Sequence, residues 1–424
     1  MTQLVLAIIL FVIMYVLLLI FANHRWIIVL AAAALFVIIG ILPIGNVLPS
    51  INWNVIMMLA GTMVIVAFFI ESQMPILMAT KLLKIVPNVK WAVVMLSLFS
   101  GLISAFVDNV ATVLMVAPIG LAVSKKLKIN PVPVIISIAV SSNLQGAATL
   151  VGDTTSILLG GYANMSFNDF FWFQGKPGIF FAVEIGALLT VPVLLFLFRK
   201  ETQKVEAEES VKVTNLMPTF LMLGVIVLLI VASQFPNKPE LTNGFICCGL
   251  AVFGLIFETI RGKSFKPAID ALKTVDYKTL ILLAGLFIVI EGVTEAGVIN
   301  KIAEIFVKIG GGSKLLMYVL IVVVSIVLSA FIDNIPYVAT MLPVVKGIAM
   351  SLNADPNLLY FGLLIGATLG GNITPVGASA NIAGIGILQK EGYKVTTKDF
   401  MRIGVPFTLI AATAGAAFIW FFWS

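Results

Sequence analysis

Charged residues are scarce in this sequence of 424 residues. Asp, Glu, Lys and Arg make up 11% of it, against about 25% in ordinary soluble domains. Hydrophobic residues make up 60%, and the mean hydropathy is +1.12. A soluble chain could not bury so much apolar surface, so lipid must surround most of this one. The composition therefore predicts a polytopic membrane protein.

Residues for redox, metal and nucleotide chemistry are also few. The two cysteines, Cys247 and Cys248, are adjacent and cannot pair in normal disulfide geometry. The one histidine, His24, lies in a predicted loop, so no histidine proton relay is available. The sequence has neither a Walker loop nor a Cys/His set with metal-ligand spacing. We therefore expect no enzyme activity and no cofactor, apart from the bound Na⁺ considered below.

One long unit occurs twice in the chain. Residues 104–119 read SAFVDNVATVLMVAPI, and residues 329–344 read SAFIDNIPYVATMLPV. Asp108 and Asn109 thus precede Asp333 and Asn334 by 225 positions. Similar spacing relates further pairs: Gly146 and Gly371, Thr149 and Thr374, Gly152 and Gly377, and, at 224 positions, Gly61 and Gly285. A duplication is therefore predicted, and each copy places an Asp-Asn pair inside an apolar run.

The apolar segments predict five crossings in each copy. A bilayer needs about 20 apolar residues per helix, and single helices are expected over 3–21, 26–43, 53–71, 178–198, 215–233, 243–260, 279–292 and 403–422. Residues 132–160 and 359–387 are apolar but are interrupted by stretches rich in glycine and hydroxyl groups. At membrane depth such breaks are tolerated only where protein buries them or where they line a cavity. Both segments are predicted to be broken helices.

Each Asp-Asn pair is predicted to lie at the tip of a hairpin. The first hairpin has arms over 91–107 and 110–123, and its return arm of 14 residues is short for a full crossing. This length favours a hairpin that re-enters the membrane, although the charges of the loops leave two full crossings open. Residues 74–90 carry three lysines and are expected to lie at the interface.

The expected fold is an all-α polytopic membrane protein with two inverted repeats, each of five transmembrane helices plus one re-entrant hairpin, with a broken helix. The first repeat covers 1–198, a cytoplasmic linker covers 199–214, and the second repeat covers 215–424. Cytoplasmic loops of membrane proteins are enriched in Lys and Arg. Here 20 of the 26 basic residues fall in segments assigned to the cytoplasm, which are 22–25, 73–90, 124–131, 199–214, 260–278 and 388–402.

This orientation places both termini outside the cell (inner) membrane. It also explains the net charge of +6 by basic loops, without a nucleic-acid partner. The N-terminal apolar run begins at Leu4 with no basic region or small-residue cleavage site, so a retained helix is expected. An odd number of crossings per copy makes the two copies inverted, which is typical of secondary transporters.

Asp108 and Asp333 are the main candidates for function. A carboxylate at membrane depth is costly unless it is paired, hydrated or protonated. The alternative is that each Asp-Asn pair only turns the hairpin and caps the following helix. Gly or Ser could turn a hairpin without a charge, so the repeated carboxylates favour a functional role. Glu184, inside 178–198, is either a proton site or a residue that faces a wet crevice.

The breaks add an oxygen-rich set of side chains and freed carbonyls, which suits a small hard cation. Asp153 in the first break corresponds to Ala378 in the second, so the two half-sites are not chemically equal. The alternative is that these polar residues only satisfy a broken backbone. The expected ion and substrate ligands are Asp108, Asn109, Thr112, Asn143, Thr149, Gly152, Asp153, Thr154, Asp333, Asn334, Asn372, Thr374, Gly377, Ser379 and Asn381. Na⁺ would lie near Asp108, Asn109 and Gly152, and near Asp333, Asn334 and Gly377.

Four motifs resemble those of the ion-transporter superfamily, specifically its arsenite-permease/P-protein branch, which is similar to the citrate and dicarboxylate carriers. They are the two hairpin motifs above, NPVPVIISIAVSSNLQGAATLVGDTTSIL and GATLGGNITPVGASANI. The resemblance covers essentially the whole chain. It implies a homodimer in the lipid bilayer, with a fixed scaffold and a transport domain that moves in elevator fashion.

The same resemblance informs the residues at the tips. In dicarboxylate carriers the tips read Ser-Asn-Thr and bind sodium and substrate carboxylates. Asn109 and Asn334 match the Asn of that motif, whereas Asp108 and Asp333 replace its Ser. Thr154 and its neighbour also replace two prolines that commonly follow Gly-Asp in the P-type branch. The usual substrates of either group therefore need not apply.

The expected function is secondary active transport of a small anion or oxyacid, coupled to a sodium or proton gradient. A cation/proton antiporter on the same fold is the first alternative, in which the Asp residues carry the transported ion. A passive anion channel is the second. Inverted half-sites closed by two hairpins favour alternating access over a continuous pore.

Overall fold

The structure, a computed structural model, describes residues 3–205, 212–213, 215–235 and 237–424. The predicted linker over 199–214 thus lies partly outside the described residues. The first half contains α1 (Gln3–Ile20), α2 (Arg25–Ile38), α3 (Val47–Ser50), α4 (Trp53–Glu71), α5 (Met74–Leu83), α6 (Val89–Ser104), α7 (Asn109–Lys126), α8 (Pro131–Gly146), α9 (Thr154–Tyr162), β1 (Trp172–Phe173), β2 (Lys176–Pro177) and α10 (Ile179–Leu197).

Helices are the only regular secondary structure among the described residues of the second half. It contains α11 (Met217–Ser233), α12 (Thr242–Gly262), α13 (Lys266–Lys273), α14 (Tyr277–Glu295), α15 (Val298–Gly310), α16 (Lys314–Ser329), α17 (Asn334–Ser351), α18 (Pro356–Gly370), α19 (Ser379–Lys390) and α20 (Thr397–Trp423). Helices α11 to α20 follow one another in the same order as α1 to α10, and α4, α6 and α7 have the same lengths as α14, α16 and α17. The duplication read from the sequence therefore extends to the secondary structure.

Most predicted segments match the observed helices. The predicted helix over 53–71 coincides with α4, and the breaks fall at 147–153 and 371–378, between α8 and α9 and between α18 and α19. Among the described residues, six helices are long and apolar enough to cross a bilayer singly, or seven spans if the bent pair α15–α16 counts as one. The remaining predicted crossings consist of shorter helices or of two pieces.

Four details differ from the prediction. Helix α2 ends at Ile38 rather than near 43, because Gly40 takes φ +79° and Pro43 cannot continue a helix. The return arm of the first hairpin, α7, has 18 residues rather than 14. An amphipathic helix, α15, was not predicted. The all-α expectation also misses the small hairpin β1–β2, whose turn residues Gln174 and Gly175 both have positive φ.

The helices pack into two bundles. The scaffold bundle consists of α1, α2, α4, α11, α12 and α14, and α4 lies along α12 while α2 lies along α14. The hairpin bundle consists of α6 to α10 and α16 to α20. At its centre, nearly every residue of α8 and α18 is buried, which explains why these helices are apolar on all sides. Both broken helices therefore begin in the middle of the hairpin bundle.

Contacts between the bundles are concentrated on α9 and α17. Tyr15 of α1 donates from its hydroxyl to the carbonyl of Pro336 at 2.8 Å, and α14 also packs on α17. On the other side, Asn52 donates to the carbonyl of Gly161 in α9 at 3.4 Å. The space between these contacts holds the cavity described next.

Candidate substrate and ion site

Each hairpin tip uses its aspartate as a helix cap. Oδ1 of Asp108 accepts from the backbone N–H groups of Val110 and Ala111 at 3.0 and 3.1 Å. Oδ1 of Asp333 accepts in the same way from Ile335 at 3.2 Å. These bonds satisfy N–H groups that the first turn of a helix leaves free. Capping occupies only one oxygen of each carboxylate, so it does not account for the charge.

The asparagines beside them are held by matching serine bonds. Oγ of Ser104 donates to Oδ1 of Asn109 at 2.6 Å, and Oγ of Ser329 donates to Oδ1 of Asn334. Both asparagines are buried. The tips therefore repeat in their hydrogen bonds as well as in sequence.

Threonine and glycine hold each break against its hairpin. Thr149 donates to the carbonyl of Ala105, and Thr374 donates to that of Ala330, 225 positions later. A Cβ on Gly152 would lie 2.7 Å from the carbonyl oxygen of Gly146 and 2.9 Å from those of Ser104 and Ala105. A Cβ on Gly377 would meet two carbonyl oxygens in the same way, at 2.6 and 2.9 Å. Only glycine fits these positions, and the carbonyl oxygens converge around them.

A cavity of about 390 Å³ joins the two tips and the two breaks. Its wall on the scaffold side is the face of α4 from Leu59 to Ile70, together with Asp276 and Thr279 at the start of α14. Of the predicted ligands, the cavity is lined by Asp108, Asn109, Asn143, Gly152, Asp153, Thr154, Asp333, Asn334 and Ser379. The structure therefore brings together residues from both copies.

The other predicted ligands lie behind the cavity wall. Thr112 donates to the carbonyl of Val107 at 3.4 Å. The remaining ones, Thr149, Asn372, Thr374, Gly377 and Asn381, hold the breaks and the tips in place. These residues shape the site without lining the cavity.

Asn143 connects the two copies. Its Nδ2 donates to Oδ1 of Asn372 at 2.8 Å and to Oδ1 of Asn381 at 2.9 Å. Asn381 in turn donates to the carbonyls of Gly371 and Thr374 at 2.9 and 3.1 Å. Asn143 is one of the residues that line the cavity, and its Oδ1 is buried without a hydrogen-bond partner in the described part of the chain. A buried acceptor of this kind calls for a donor or a cation.

The charges of the two half-sites differ. Asp153 accepts from the N–H of Thr154 at 2.8 Å and from Oγ1 of Thr155 at 2.9 Å, whereas Ala378 stands at the equivalent position. Asp333 forms an ion pair with Arg25, with 2.7 Å between Oδ2 and Nη1. The sequence places Arg25 in a predicted cytoplasmic loop and leaves the transport core without Lys or Arg. The expectation of a core without Lys or Arg is wrong, because Arg25 is the first residue of α2 and its side chain reaches the second tip.

Two further acidic groups lie in or near this part of the structure. Asp276 caps α14, where Oδ1 accepts from the N–H of Thr279 at 3.1 Å, and it lies on the cavity wall. Its only sequence signal is the cap position at the start of an apolar run. Glu184 accepts from Nε2 of Gln145 at 3.2 Å, and it does not line the cavity.

The donor set in the cavity consists of oxygens. Four carboxylates, those of Asp108, Asp153, Asp276 and Asp333, share it with amides and hydroxyls. In the part of the chain that the structure describes, no group of three or more His, Cys, Asp or Glu residues is arranged to hold a metal ion. The arrangement suits a hard, weakly held cation together with a small polar solute.

The sequence matches a family model described as the citrate transporter over residues 15–366. The chain belongs to this family. Its relatives include the 46 kDa membrane protein of Mycobacterium leprae, which is 32% identical over 425 residues, 98% of each chain. An uncharacterised transporter of Mycobacterium tuberculosis (strain ATCC 25618 / H37Rv) is 32% identical over 404 residues, 92% of each chain. The human P protein is 26% identical over 476 residues, which cover 92% of this chain and 56% of the P protein.

Solved transporter structures share the fold of this citrate transporter family member. The YdaH transporter of Alcanivorax borkumensis superposes with a TM-score of 0.60, over 88% of this chain and 86% of YdaH, at 13% identity. MtrF of Neisseria gonorrhoeae, described among antimetabolite efflux pumps, superposes with a TM-score of 0.55. The superposition covers 99% of this chain and 94% of MtrF, also at 13% identity. Such identities establish the fold alone. The expected resemblance to the P-protein branch is confirmed, and the chain is an integral membrane transporter rather than an enzyme.

Proposed function

We propose that this member of the citrate transporter family is a secondary active transporter that moves a small anion or oxyacid with a sodium or proton gradient. The observation that carries this proposal is the shared cavity, in which both hairpin tips and both breaks face one scaffold wall. A site assembled at a repeat interface from broken helices is typical of secondary transporters.

The cavity offers groups for an anion. The first residues of four helices line it: Val110 and Ala111 of α7, Thr154 of α9, Ile335 of α17, and Ser379 and Ala380 of α19. Aspartates already accept from the N–H groups of Val110, Ala111, Thr154 and Ile335, so these three helices contribute the partial positive charge of their N-termini. Helix α19 has no side-chain cap and also presents free N–H groups, which favour a bound anion or an oxygen-rich solute. A citrate-like carboxylate or a neutral oxyacid would be held there between the two tips.

The carboxylates supply the reason for coupling. A bare anion that faces several carboxylates in a poorly hydrated cavity is repelled. A sodium ion or proton at Asp108 and Asp153 removes that repulsion, so the cation binds first and the anion follows. This requirement links the movement of the two solutes.

Alternating access would come from relative movement of the two bundles. The cavity wall runs along α4 to Ile70 at its C-terminal end and includes Asp276 at the N-terminal end of α14. Both of these helix ends belong to the face predicted to be cytoplasmic, so we assign an inward-open arrangement.

We further propose that the copies are inverted in the inner membrane, with re-entrant hairpins and with both termini outside. The hairpin bundle would then move in elevator fashion against a dimeric scaffold bundle.

A cation/proton antiporter is the second candidate. The excess of acidic groups favours it, since four carboxylates line the cavity and Arg25 is their one basic partner among the described residues. In that case the cation would be the cargo, and the helix N-termini would only stabilise the tips. A passive channel remains a third outcome of the test.

Flux measurements in liposomes separate these functions. The purified protein is reconstituted and offered citrate, smaller carboxylates and neutral oxyacids, with a sodium or proton gradient imposed one at a time. We expect accumulation of one solute class only when one gradient is present. Exchange of sodium for protons without any solute would establish the antiporter, and current proportional to voltage without coupling would establish the channel.

A further inference from the structure

The two hairpin tips are repeats in sequence but not in charge. Arg25 and Asp333 form a partly shielded pair, since their side chains are 25% and 13% exposed. Solvent screens such a pair less than a surface pair. Asp108, the equivalent carboxylate, has no Lys or Arg within ion-pair distance in the described part of the chain. The half-site of Asp333 is therefore formally neutral, whereas Asp108 lies with Asp153 and has no counter-ion.

Helix packing identifies which residue of the second copy corresponds to Arg25. A Cβ on Gly285 would lie 2.8 Å from the side chain of Val29, and a Cβ on Gly61 would meet the backbone of Cys247. Gly61 and Gly285 are equivalent in the repeat, because they lie 224 positions apart in the same Leu-Ala-Gly motif. Val29 of α2 therefore corresponds to Cys247 of α12.

The equivalent of Arg25 is then Asn243. The spacing from Asn243 to Cys247 is the same as the spacing from Arg25 to Val29. Asn243 is buried, and its Oδ1 accepts from Nζ of Lys238 at 3.4 Å. An amide carries no charge that could neutralise Asp108. The second copy therefore offers the first tip no counter-ion of its own.

The pair also spans the two bundles. Arg25 belongs to α2 of the scaffold bundle, whereas Asp333 caps α17 of the hairpin bundle. Movement of one bundle along the other would separate the guanidinium from the carboxylate. In addition to Arg25, Asp333 faces Oγ of Ser379 at 3.3 Å and shares the cavity with the other three carboxylates, Asp108, Asp153 and Asp276.

We propose that Arg25 is a built-in counter-ion that competes with the coupling cation for Asp333. The inference rests on the proposed function as a cation-coupled transporter. In the conformation described here, the cation binds only at the first half-site, where Asp108, Asp153 and the unpartnered Oδ1 of Asn143 are available. When the bundles shift, Asp333 loses Arg25 and accepts a second cation, and the return of Arg25 expels that cation.

The test counts the cations whose binding depends on Asp333. Purified protein in detergent is assayed for bound ²²Na⁺ at equilibrium and, separately, for proton uptake when the pH is lowered. The substitution Asp333→Asn is made in the wild-type protein and, separately, in the Arg25→Gln variant. In each case the number of bound cations is compared before and after the substitution. We expect no cation to be lost in the first comparison and one to be lost in the second.

Control backgrounds separate charge from folding. Arg25→Lys keeps a positive charge beside Asp333 and should behave as wild type. The double variant Arg25→Gln/Asp333→Asn removes both charges of the pair, so it shows whether poor folding of Arg25→Gln comes from the unpaired carboxylate. Arg199→Gln removes an arginine that lies over the ring of Phe196, and it should also leave the count unchanged. Loss of one cation on Asp333→Asn in the wild-type background, or of none in the Arg25→Gln background, would overturn the inference.

A separate arm tests the underlying function. Asp108→Asn should remove one cation in every background, because that half-site has no counter-ion. If it removes none of either ion, then the proposed coupling is wrong and the role of Arg25 is rejected with it. If it removes one while the Asp333 comparison fails, then only the role of Arg25 is rejected.

Discussion

Asn143 and Asn381 are 238 positions apart in the chain, and their side-chain amides are joined at 2.9 Å. With the bond from Asn143 to Asn372, this contact ties the C-terminal end of α8 to the second break. All three asparagines are almost fully buried. A few amide groups therefore connect the two half-sites.

Asn143→Ala should destabilise the protein and loosen both breaks. It leaves the Oδ1 atoms of Asn372 and Asn381 buried without that donor, and each such loss costs about 1–3 kcal/mol. The measurement is thermal unfolding in detergent together with solute flux. Ser137→Ala is the matched control on α8, because the Ser137 hydroxyl bonds only within its own helix, to Pro133. Equal effects of the two substitutions would contradict a special role of Asn143.

Gly152→Ala and Gly377→Ala should abolish transport. The added Cβ would meet backbone carbonyl oxygens at 2.6 to 2.9 Å, which can move only if the break moves. Overpacking of this kind typically costs about 1–3 kcal/mol. Gly386→Ala on α19 is the control, since nothing lies within 4 Å of its Cβ. Normal flux by Gly152→Ala would show that the carbonyl oxygens there need not converge.

Asp108→Asn and Asp333→Asn should insert normally but lose gradient-driven flux. Asn retains an oxygen for capping Val110 and Ile335 and removes the charge. Insertion is measured by the yield of monodisperse protein, and flux is measured in liposomes under each gradient. Normal rates with unchanged ion dependence in both variants would mean that the aspartates are caps only.

The predicted orientation can be tested with single cysteines in a variant that lacks Cys247 and Cys248. Cysteines at positions 126 and 264 should react with a membrane-impermeant reagent only from the cytoplasm, and one at 239 only from outside. All three positions are exposed in the structure. Labelling of positions 126 and 239 from the same side would contradict inverted copies.

The order of binding is a further prediction. Because Asp108 and Asp153 have no basic partner among the described residues, affinity for an anion should fall sharply when sodium is removed or when the pH is raised. A neutral oxyacid would show a weaker dependence. Titration calorimetry on the purified protein measures both. Tight anion binding that ignores both sodium and pH would rule out cation-first binding.

Most of the long helices, both breaks and the hairpin tips could be predicted from the sequence. Apolar runs, glycines and capping residues act over a few positions, so α4, α10 and the break at 147–153 could be read directly. The duplication added the equivalence of Asp108 and Asp333, because the second copy repeats the same local pattern. Local signals were less reliable at segment ends, where Gly40 and the chain after it ended α2 early.

Which residues contact each other across the fold depends on the tertiary structure and could not be predicted from the sequence. Arg25 and Asp333 are 308 positions apart, and the loop position of Arg25 in the sequence points away from the membrane core. Asp276 falls within the predicted cytoplasmic segment 260–278, and the structure places it on the wall of the cavity. Such contacts depend on how separate helices pack, which apolar periodicity and capping do not encode. The charge difference between the two half-sites is therefore a property of the packing of the two bundles.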